Sequence, residues 1–292
     1  MKRAILAKLG LGTAQFGQAY GLSNTRGQVA AAEAGAILKL AAEAGMRVID
    51  TAPDYGDAEI LLGQAMTPSS PLQVTTRTIS IAAGVDAVEA QARVSLRRLG
   101  LAKADALLVS NATDLLGPEG PALWKRMRRL QELGLFERIG VSAYAEDEPL
   151  HLARRFRPDL MQVPASLLDQ RLVADGTLSE LAALGVQVHL RSIFMQGLLF
   201  LTDRLPPQVA AAGPRLSRVR RMIAEAGSDP LRAALAFALD QEEASAVVVG
   251  VTSAAELRAI IAAAAAPSPG LDWARFALEH AVAVDRQQWA AA

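Results

Sequence analysis

Three side chains suited to moving protons stand at or near the ends of two short apolar runs. Val48-Ile49-Asp50 closes on a carboxylate, and Tyr55 follows five residues later in Thr51-Ala52-Pro53-Asp54-Tyr55-Gly56. Farther along, Val74-Thr75-Thr76 closes on Arg77, whose guanidinium is charged at every working pH. A phenol, an anion and a permanent cation make a proton-transfer set only if the fold brings their runs side by side.

The rest of the chain supplies elements that would do so. Short runs rich in Val, Ile or Leu recur at Leu9–Thr13, Arg47–Asp50, Gln73–Thr76, Ala106–Val109, Arg138–Ser142, Leu160–Val163, Gln187–Arg191 and Ala246–Gly250. Such runs suit parallel strands covered by helices on both faces. Between them lie helical stretches: Val29–Ala44 before Gly45, Asp86–Leu99 before Gly100, Gly120–Leu133 before Gly134, and Gly176–Leu184 before Gly185. Glycine just past a helix fits a left-handed cap, so the unit "helix, Gly, apolar strand" repeats four times.

Strict alternation admits a closed barrel or an open doubly wound sheet. The open sheet would bring a dinucleotide fingerprint after an early strand, but Gly10-Leu11-Gly12 runs on into Thr13-Ala14-Gln15 without the third glycine. The expectation is therefore a (β/α)8 TIM barrel spanning residues 1–292 as one domain. In a barrel, reactive groups sit at the C-terminal ends of strands. That rule places Asp50, Tyr55 and Arg77 on one rim.

Composition narrows the function. The 30 Lys+Arg balance 30 Asp+Glu in 292 residues, which argues against a dedicated nucleic-acid or acidic-membrane surface. There are no cysteines and three histidines, so thiolate metal sites are excluded and no metal is expected. No run approaches the ~18 apolar residues of a membrane span. The start, Met1–Lys8, is too short in its apolar part for a secretory signal, and a cytoplasmic protein is expected. Leu198–Gly227 breaks the alternation with two proline-bearing stretches and a basic run. It reads as a surface excursion followed by an exposed helix, with a lid on the top face as the alternative. The tail, Pro267–Ala292, with Trp273 and Trp289, is expected to pack on the barrel exterior.

Across nearly its whole length the chain resembles the aldo-keto reductases. The resemblance is carried by Val48-Ile49-Asp50-Thr51-Ala52…Tyr55-Gly56 with Glu59 and Leu62-Gly63. It continues through Leu9-Gly10-Leu11-Gly12-Thr13, Ile139-Gly140-Val141-Ser142, Met161-Gln162-Val163-Pro164, Leu168-Asp169-Gln170-Arg171, Arg191-Ser192 and Val249-Gly250-Val251. The variant Leu11-Gly12-Thr13-Ala14-Gln15-Phe16-Gly17, with Tyr20-Gly21 and Asn24, is similar to a bacterial branch associated with sugar and polysaccharide pathways.

The resemblance implies hydride transfer between a nicotinamide, NADP or NAD, and a small carbonyl or alcohol. Tyr55 would be the proton donor. A free phenol titrates near pH 10, so the family sets a lysine beside it and an aspartate on the lysine, with a histidine to orient the carbonyl. Asp50 and Tyr55 match this tetrad. The lysine position holds Arg77 and the histidine position Ser110, so a slow or altered activity is expected. On the cofactor side the resemblance implies Gly12, Thr13, Asp50, Ser142, Gln162, Arg191, Ser192, Gly250, Thr252 and Ser253. Gln162 would hold the carboxamide, and Ser142 would share that task although its usual Asn partner is Ala143. Gln15, Tyr55 and Asn111 would meet substrate. An arginine for the adenosine 2′-phosphate belongs near Glu256, and a carboxylate there removes the reason to prefer NADP. His189 reads as a hydrogen-bonded wall residue. Two further readings keep the barrel: elimination or epimerisation by Tyr55, Asp50 and Arg77, or a non-catalytic binding protein on the same scaffold.

Overall fold

The computed structural model describes residues 2–67, 70–201, 205 and 207–278. Its eight strands are β1 (Leu9–Gly12), β2 (Val48–Asp50), β3 (Gln73–Arg77), β4 (Ala104–Val109), β5 (Phe136–Ser142), β6 (Leu160–Pro164), β7 (Gln187–Arg191) and β8 (Ala244–Gly250). All pair in parallel, each with its sequence neighbours, and β8 closes onto β1 through Leu9↔Val247 to Gly12↔Gly250. The expected (β/α)8 barrel is what the chain forms. Covering helices are α1 (Ala31–Glu43), α2 (Ala58–Ala65), α3 (Val85–Arg98), α4 (Gly120–Glu132), α5 (Pro149–Phe156), α6 (Thr177–Ala183), α7 (Gly213–Glu225), α8 (Pro230–Leu239) and α9 (Ala254–Ala264).

Strand parity divides the molecule into two interiors. Outward-pointing residues such as Leu11, Ile49, Leu107, Val141, Val163 and Val249 join one large apolar cluster with the helices. Inward residues alternate with them, and Ala106, Leu108 and Leu160 form a separate small cluster inside the barrel. Above that plug the inward positions turn polar, with Asp50, Thr75, Gln162, His189 and Arg191 all buried. The site residues therefore share one parity, because side chains at i and i+2 share a strand face.

Several strands begin earlier or end later than the apolar runs suggest. β4 starts at Ala104 and β5 at Phe136; Asp105, just before the apolar run of β4, is taken into the sheet as the ion-pair partner of Arg138 on β5. β3 runs on to Arg77, paired with Leu108. Gly45, Gly100, Gly134 and Gly185 do adopt the left-handed conformation after their helices. Helices without such a stop were harder to bound: α5 ends on Arg157, a non-glycine at φ 49°.

The excursion is neither wholly surface nor wholly lid. Met195–Phe200 is a 3-10 segment, and Phe194, Gln196 and Phe200 face the barrel's upper cavity. The helix expected to be exposed, α7, buries Leu216, Val219 and Ile223, and Arg220 of α7 donates to the Leu201 carbonyl at 2.5 Å. An apolar stripe at i, i+3, i+7 on an otherwise basic helix is the reason. Of the tail, Trp273 packs edge-on against Phe237 of α8 with centroids 6.0 Å apart, which puts this stretch on the barrel exterior. Trp289 lies outside the described residues.

Candidate active site

The polar upper end of the barrel opens into one cavity of about 760 Å³, within the ~300–1,000 Å³ typical of small-molecule sites. Asp50, Tyr55, Arg77 and Ser110 all line it, so the residues singled out at strand ends do converge. So do Gly12, Thr13, Gln15, Ser142, Arg191, Ser192, Gly250 and Thr252.

Tyr55 is positioned by backbone contact. After β2 the chain turns through Thr51–Gly56, with Tyr55 N–H donating to the Ala52 carbonyl and Ala58 N–H donating to that of Tyr55. The short helix Ala14–Gly17 after β1 presses directly on this turn. A Cβ on Gly17 would stand 1.5 Å from the Tyr55 carbonyl oxygen, and one on Gly56 2.4 Å from that of Gly17. Both glycines are thus close-approach positions. Glu59, fully buried, accepts from Thr76 Oγ1 at 2.8 Å and ties the start of α2 to β3.

Arg77 lies across the barrel floor of the cavity. Its Nη2 donates to Asp50 Oδ2 at 2.9 Å, to Asp50 Oδ1 at 3.1 Å and to Gln162 Oε1 at 2.6 Å. Gln162 Nε2 in turn donates to Asp50 Oδ1 at 2.8 Å. The Arg77 side chain is 12% exposed. Burial works against its charge, but Asp50 and Tyr55 outweigh that and hold the guanidinium firmly protonated. Its Cζ stands 5.6 Å from the centroid of the Tyr55 ring. Even so, the phenol is not pulled toward ionisation. Burial dominates and pushes it up to about 12, with the Arg77 charge only partly offsetting this and Asp50 and Asp54 reinforcing it. The neighbouring cation does act downward on the phenol as expected, but desolvation of the phenolate exceeds that Coulombic gain and the net shift is upward.

The remaining candidates separate. Ser110 reaches the cavity and is held by its N–H on Thr78 Oγ1 at 3.2 Å. Asn111 is exposed and off the cavity wall, its Oδ1 accepting from Thr113 N–H and Oγ1. Gln162 is fully buried, and both ends of its amide are engaged by Asp50 and Arg77. Ser253 caps α9 by accepting from Glu256 N–H at 3.2 Å. Glu256 folds back on Thr252, accepting from its N–H at 2.7 Å and its Oγ1 at 2.8 Å. Glu33 of α1 accepts from Ala254 N–H at 2.6 Å. Two carboxylates thus occupy backbone donors at and just before the start of α9. His189 is buried as expected, but among the described residues its Nδ1 has no hydrogen-bond partner; burial and nearby Arg138 push it down to about 4.

Some site residues carried no sequence signal. Tyr144 lies 4.1 Å beneath the Arg191 guanidinium; nothing but proximity to Ser142 marked it. Ser192, Met195 and Gln196 all hold positive φ, backbone strain of a kind that gathers at functional sites. Ser23 N–H donates to the Gln196 carbonyl at 3.2 Å, joining the loops after β1 and β7 at the cavity.

Comparison with known proteins fits this geometry. The family model described as Aldo/keto reductase family matches residues 8–277. The chain belongs to that family. An aldo-keto reductase of Mycolicibacterium vanbaalenii is 36% identical over 124 residues, 40% of this chain and 43% of that protein. One from Mycolicibacterium smegmatis is 32% identical over 148 residues, 47% of this chain and 50% of that one. The chain thus spans about half the length of the curated relatives it matches, or less. In fold it is similar to the holo form of aldo-keto reductase AKR11C1 from Bacillus halodurans, with TM-score 0.76 and 19% identity over 92% of this chain and 89% of that one. Among the described residues no helix is long and apolar enough to cross a membrane.

Proposed function

We propose that this aldo-keto reductase is a nicotinamide-dependent reductase of a small, polar, sugar-like carbonyl compound, with Tyr55 as the proton donor. One observation carries the reading: the phenol, its Arg77–Asp50 partner pair and the segments suited to a dinucleotide all line a single cavity.

The residues present fit such a cofactor in the NAD form. Gly12, Thr13, Ser142, Arg191 and Ser192 offer backbone, hydroxyl and cationic contacts, and Gly250–Thr252 continue the lining beside Gly12, together with apolar Ala259 and Ile260. The Gln15 amide lies close over Gly250, 2.7 Å from where a Cβ would stand. The donors near the start of α9 that could greet a further phosphate are taken by Glu33 and Glu256. Carboxylates there repel a 2′-phosphate and accept hydrogen bonds from a ribose diol instead, so NADP gains no advantage over NAD.

When bound, a reduced nicotinamide supplies the hydride. Tyr55 Oη gives its proton to the carbonyl oxygen as that oxygen becomes an alkoxide. A phenol held at about 12 stays protonated at neutral pH, and the more basic alkoxide drives the transfer. Asp50 keeps Arg77 charged and in place beneath the ring. Ser110 stands in for an imidazole as the group that orients the carbonyl. Losing one preorganised donor typically costs ~10²–10³ in rate, so a modest kcat is the expected signature. Polar Gln15 and Tyr20 and the Asp54 carboxylate on the cavity wall suit a polyhydroxylated substrate and its small carbonyl. Calorimetric titration with NAD and NADP tests the reading. Comparable binding of both supports it, and no heat with either defeats it.

A further inference from the structure

Gln162 is the member of this site whose surroundings least resemble a ligand-binding position. It projects from β6, on the far side of the barrel from β2 and β3. Its side chain is fully buried. The amide meets a cation through its oxygen and an anion through its nitrogen: Arg77 Nη2 at 2.6 Å and Asp50 Oδ1 at 2.8 Å. Only this orientation of the amide satisfies both partners. With the Arg77–Asp50 bonds, three side chains from three strands close a ring.

The ring loads one nitrogen of Arg77. Among the described residues, Nη2 makes all three contacts, whereas the buried Nε has no partner. A guanidinium held at one nitrogen by Asp50 alone could pivot about that carboxylate. The bond to Gln162, from across the barrel, removes that freedom and fixes the direction in which the guanidinium lies. The cation stands over the face of the ring, 5.6 Å from its centroid, and burial governs the phenol.

We propose that Gln162 is a positioning residue for the proton donor, anchoring Arg77 and Asp50 from β6 so as to set the distance of the cation from Tyr55, and is not a ligand of the dinucleotide. A neutral amide suits the task, because it binds cation and anion together without adding charge. The proposal rests on reading Tyr55 as the proton donor, but its central test does not depend on turnover.

The test places 3-fluorotyrosine at position 55, whose fluorine acidifies the phenol, and follows its titration by ¹⁹F NMR in the full chain. Besides Arg77 and Asp50, the charged groups acting on that phenol are Asp54 and Arg191, which all variants keep. In Gln162→Met the released guanidinium is drawn toward the forming phenolate, and the midpoint falls by 0.5 pH unit or more. In Gln162→Glu the added charge neutralises part of the cation, and the midpoint rises by 0.5 unit or more. This second variant is nearly isosteric and decides the matter if Gln162→Met does not fold. NAD affinity, by calorimetry, stays within twofold of wild type in Gln162→Met. Unmoved midpoints overturn the proposal and make Gln162 inert packing. A tenfold loss of NAD affinity in Gln162→Met also overturns it, by returning the residue to the cofactor. If the wild-type protein binds no dinucleotide, the reductase reading fails by itself while the midpoints still decide the role of Gln162.

Discussion

Replacing Gly17 by alanine tests whether the catalytic turn is set by backbone contact. The added Cβ would lie 1.5 Å from the Tyr55 carbonyl oxygen, 2.6 Å from its carbonyl carbon and 2.9 Å from Ala58 N. Every atom it meets is backbone, so no side chain can rotate aside. Restoring ordinary contact, near 3.4 Å, requires the Tyr55 turn or the Ala14–Gly17 helix to retreat by about 2 Å. Misplacing a reacting group by ~1 Å can cost ~10² in rate, so kcat for reduction of a small aldehyde should fall by ~10² or more. Overpacking of this kind costs ~1–3 kcal/mol in stability. Dinucleotide affinity is the readout of which side retreats: it is kept where the Tyr55 turn moves and falls where the Ala14–Gly17 helix moves, because Gln15 of that helix lies against Gly250. The control is Gly35→Ala. Gly35 lies inside α1 with nothing within 4 Å of an added Cβ, and that change should stabilise the protein by ~0.5–1 kcal/mol and leave kcat alone. Steady-state kinetics, calorimetry and denaturant melts on the two variants are the assay. A Gly17→Ala protein with wild-type kcat and stability would show that the turn does not depend on this contact.

Other outcomes follow from the same geometry. Tyr55→Phe should abolish carbonyl reduction with dinucleotide affinity retained; surviving turnover would remove Tyr55 from the chemistry. Arg77→Lys should keep or raise activity, because all three contacts of Arg77 are made by one nitrogen and an ammonium has three protons to meet them. Adding Ser110→His should raise it again if the missing imidazole limits the rate; a tenfold gain is about 1.4 kcal/mol of barrier, and no gain would place the limit elsewhere. His189, held neutral and pushed down to about 4, makes the fold acid-sensitive. The unfolded chain binds its proton below about pH 6.5 while the native state does not until about 4. Stability is therefore present above 6.5 and lost as pH falls toward 4, by about 2 kcal/mol between pH 7 and 5. Urea melts of His189→Gln should lose that share of the slope, and an unchanged slope would refute it. Glu256→Gln with Glu33→Gln should improve NADP affinity at least tenfold relative to NAD, and no change would mean that these carboxylates do not face the adenosine ribose.

The alternation of apolar runs with glycine-stopped helices was enough to narrow the fold to a closed barrel or an open sheet, and the missing third glycine after Gly12 favoured the barrel, because periods, stop signals and fingerprints are local properties of the chain. It was also enough to place Asp50, Tyr55, Arg77 and Ser110 at one mouth, since strand ends in a barrel share a rim. Glu256 was legible as an obstacle to phosphate, but Glu33 was not. Glu33 comes from α1, more than two hundred residues away from α9, and only barrel closure brings the two together. The state of Tyr55 was misjudged from sequence, because a residue list shows the neighbouring cation but not the desolvation that outweighs it. Gln162 and Asn111 were read by position alone. Whether an amide faces a cavity, a buried ion pair or its own loop is decided by what stands across from it, and that is set by packing between strands distant in the chain. Local order was written in the sequence; electrostatics and hydrogen-bond partners were settled by the tertiary structure, because burial and charge act through space.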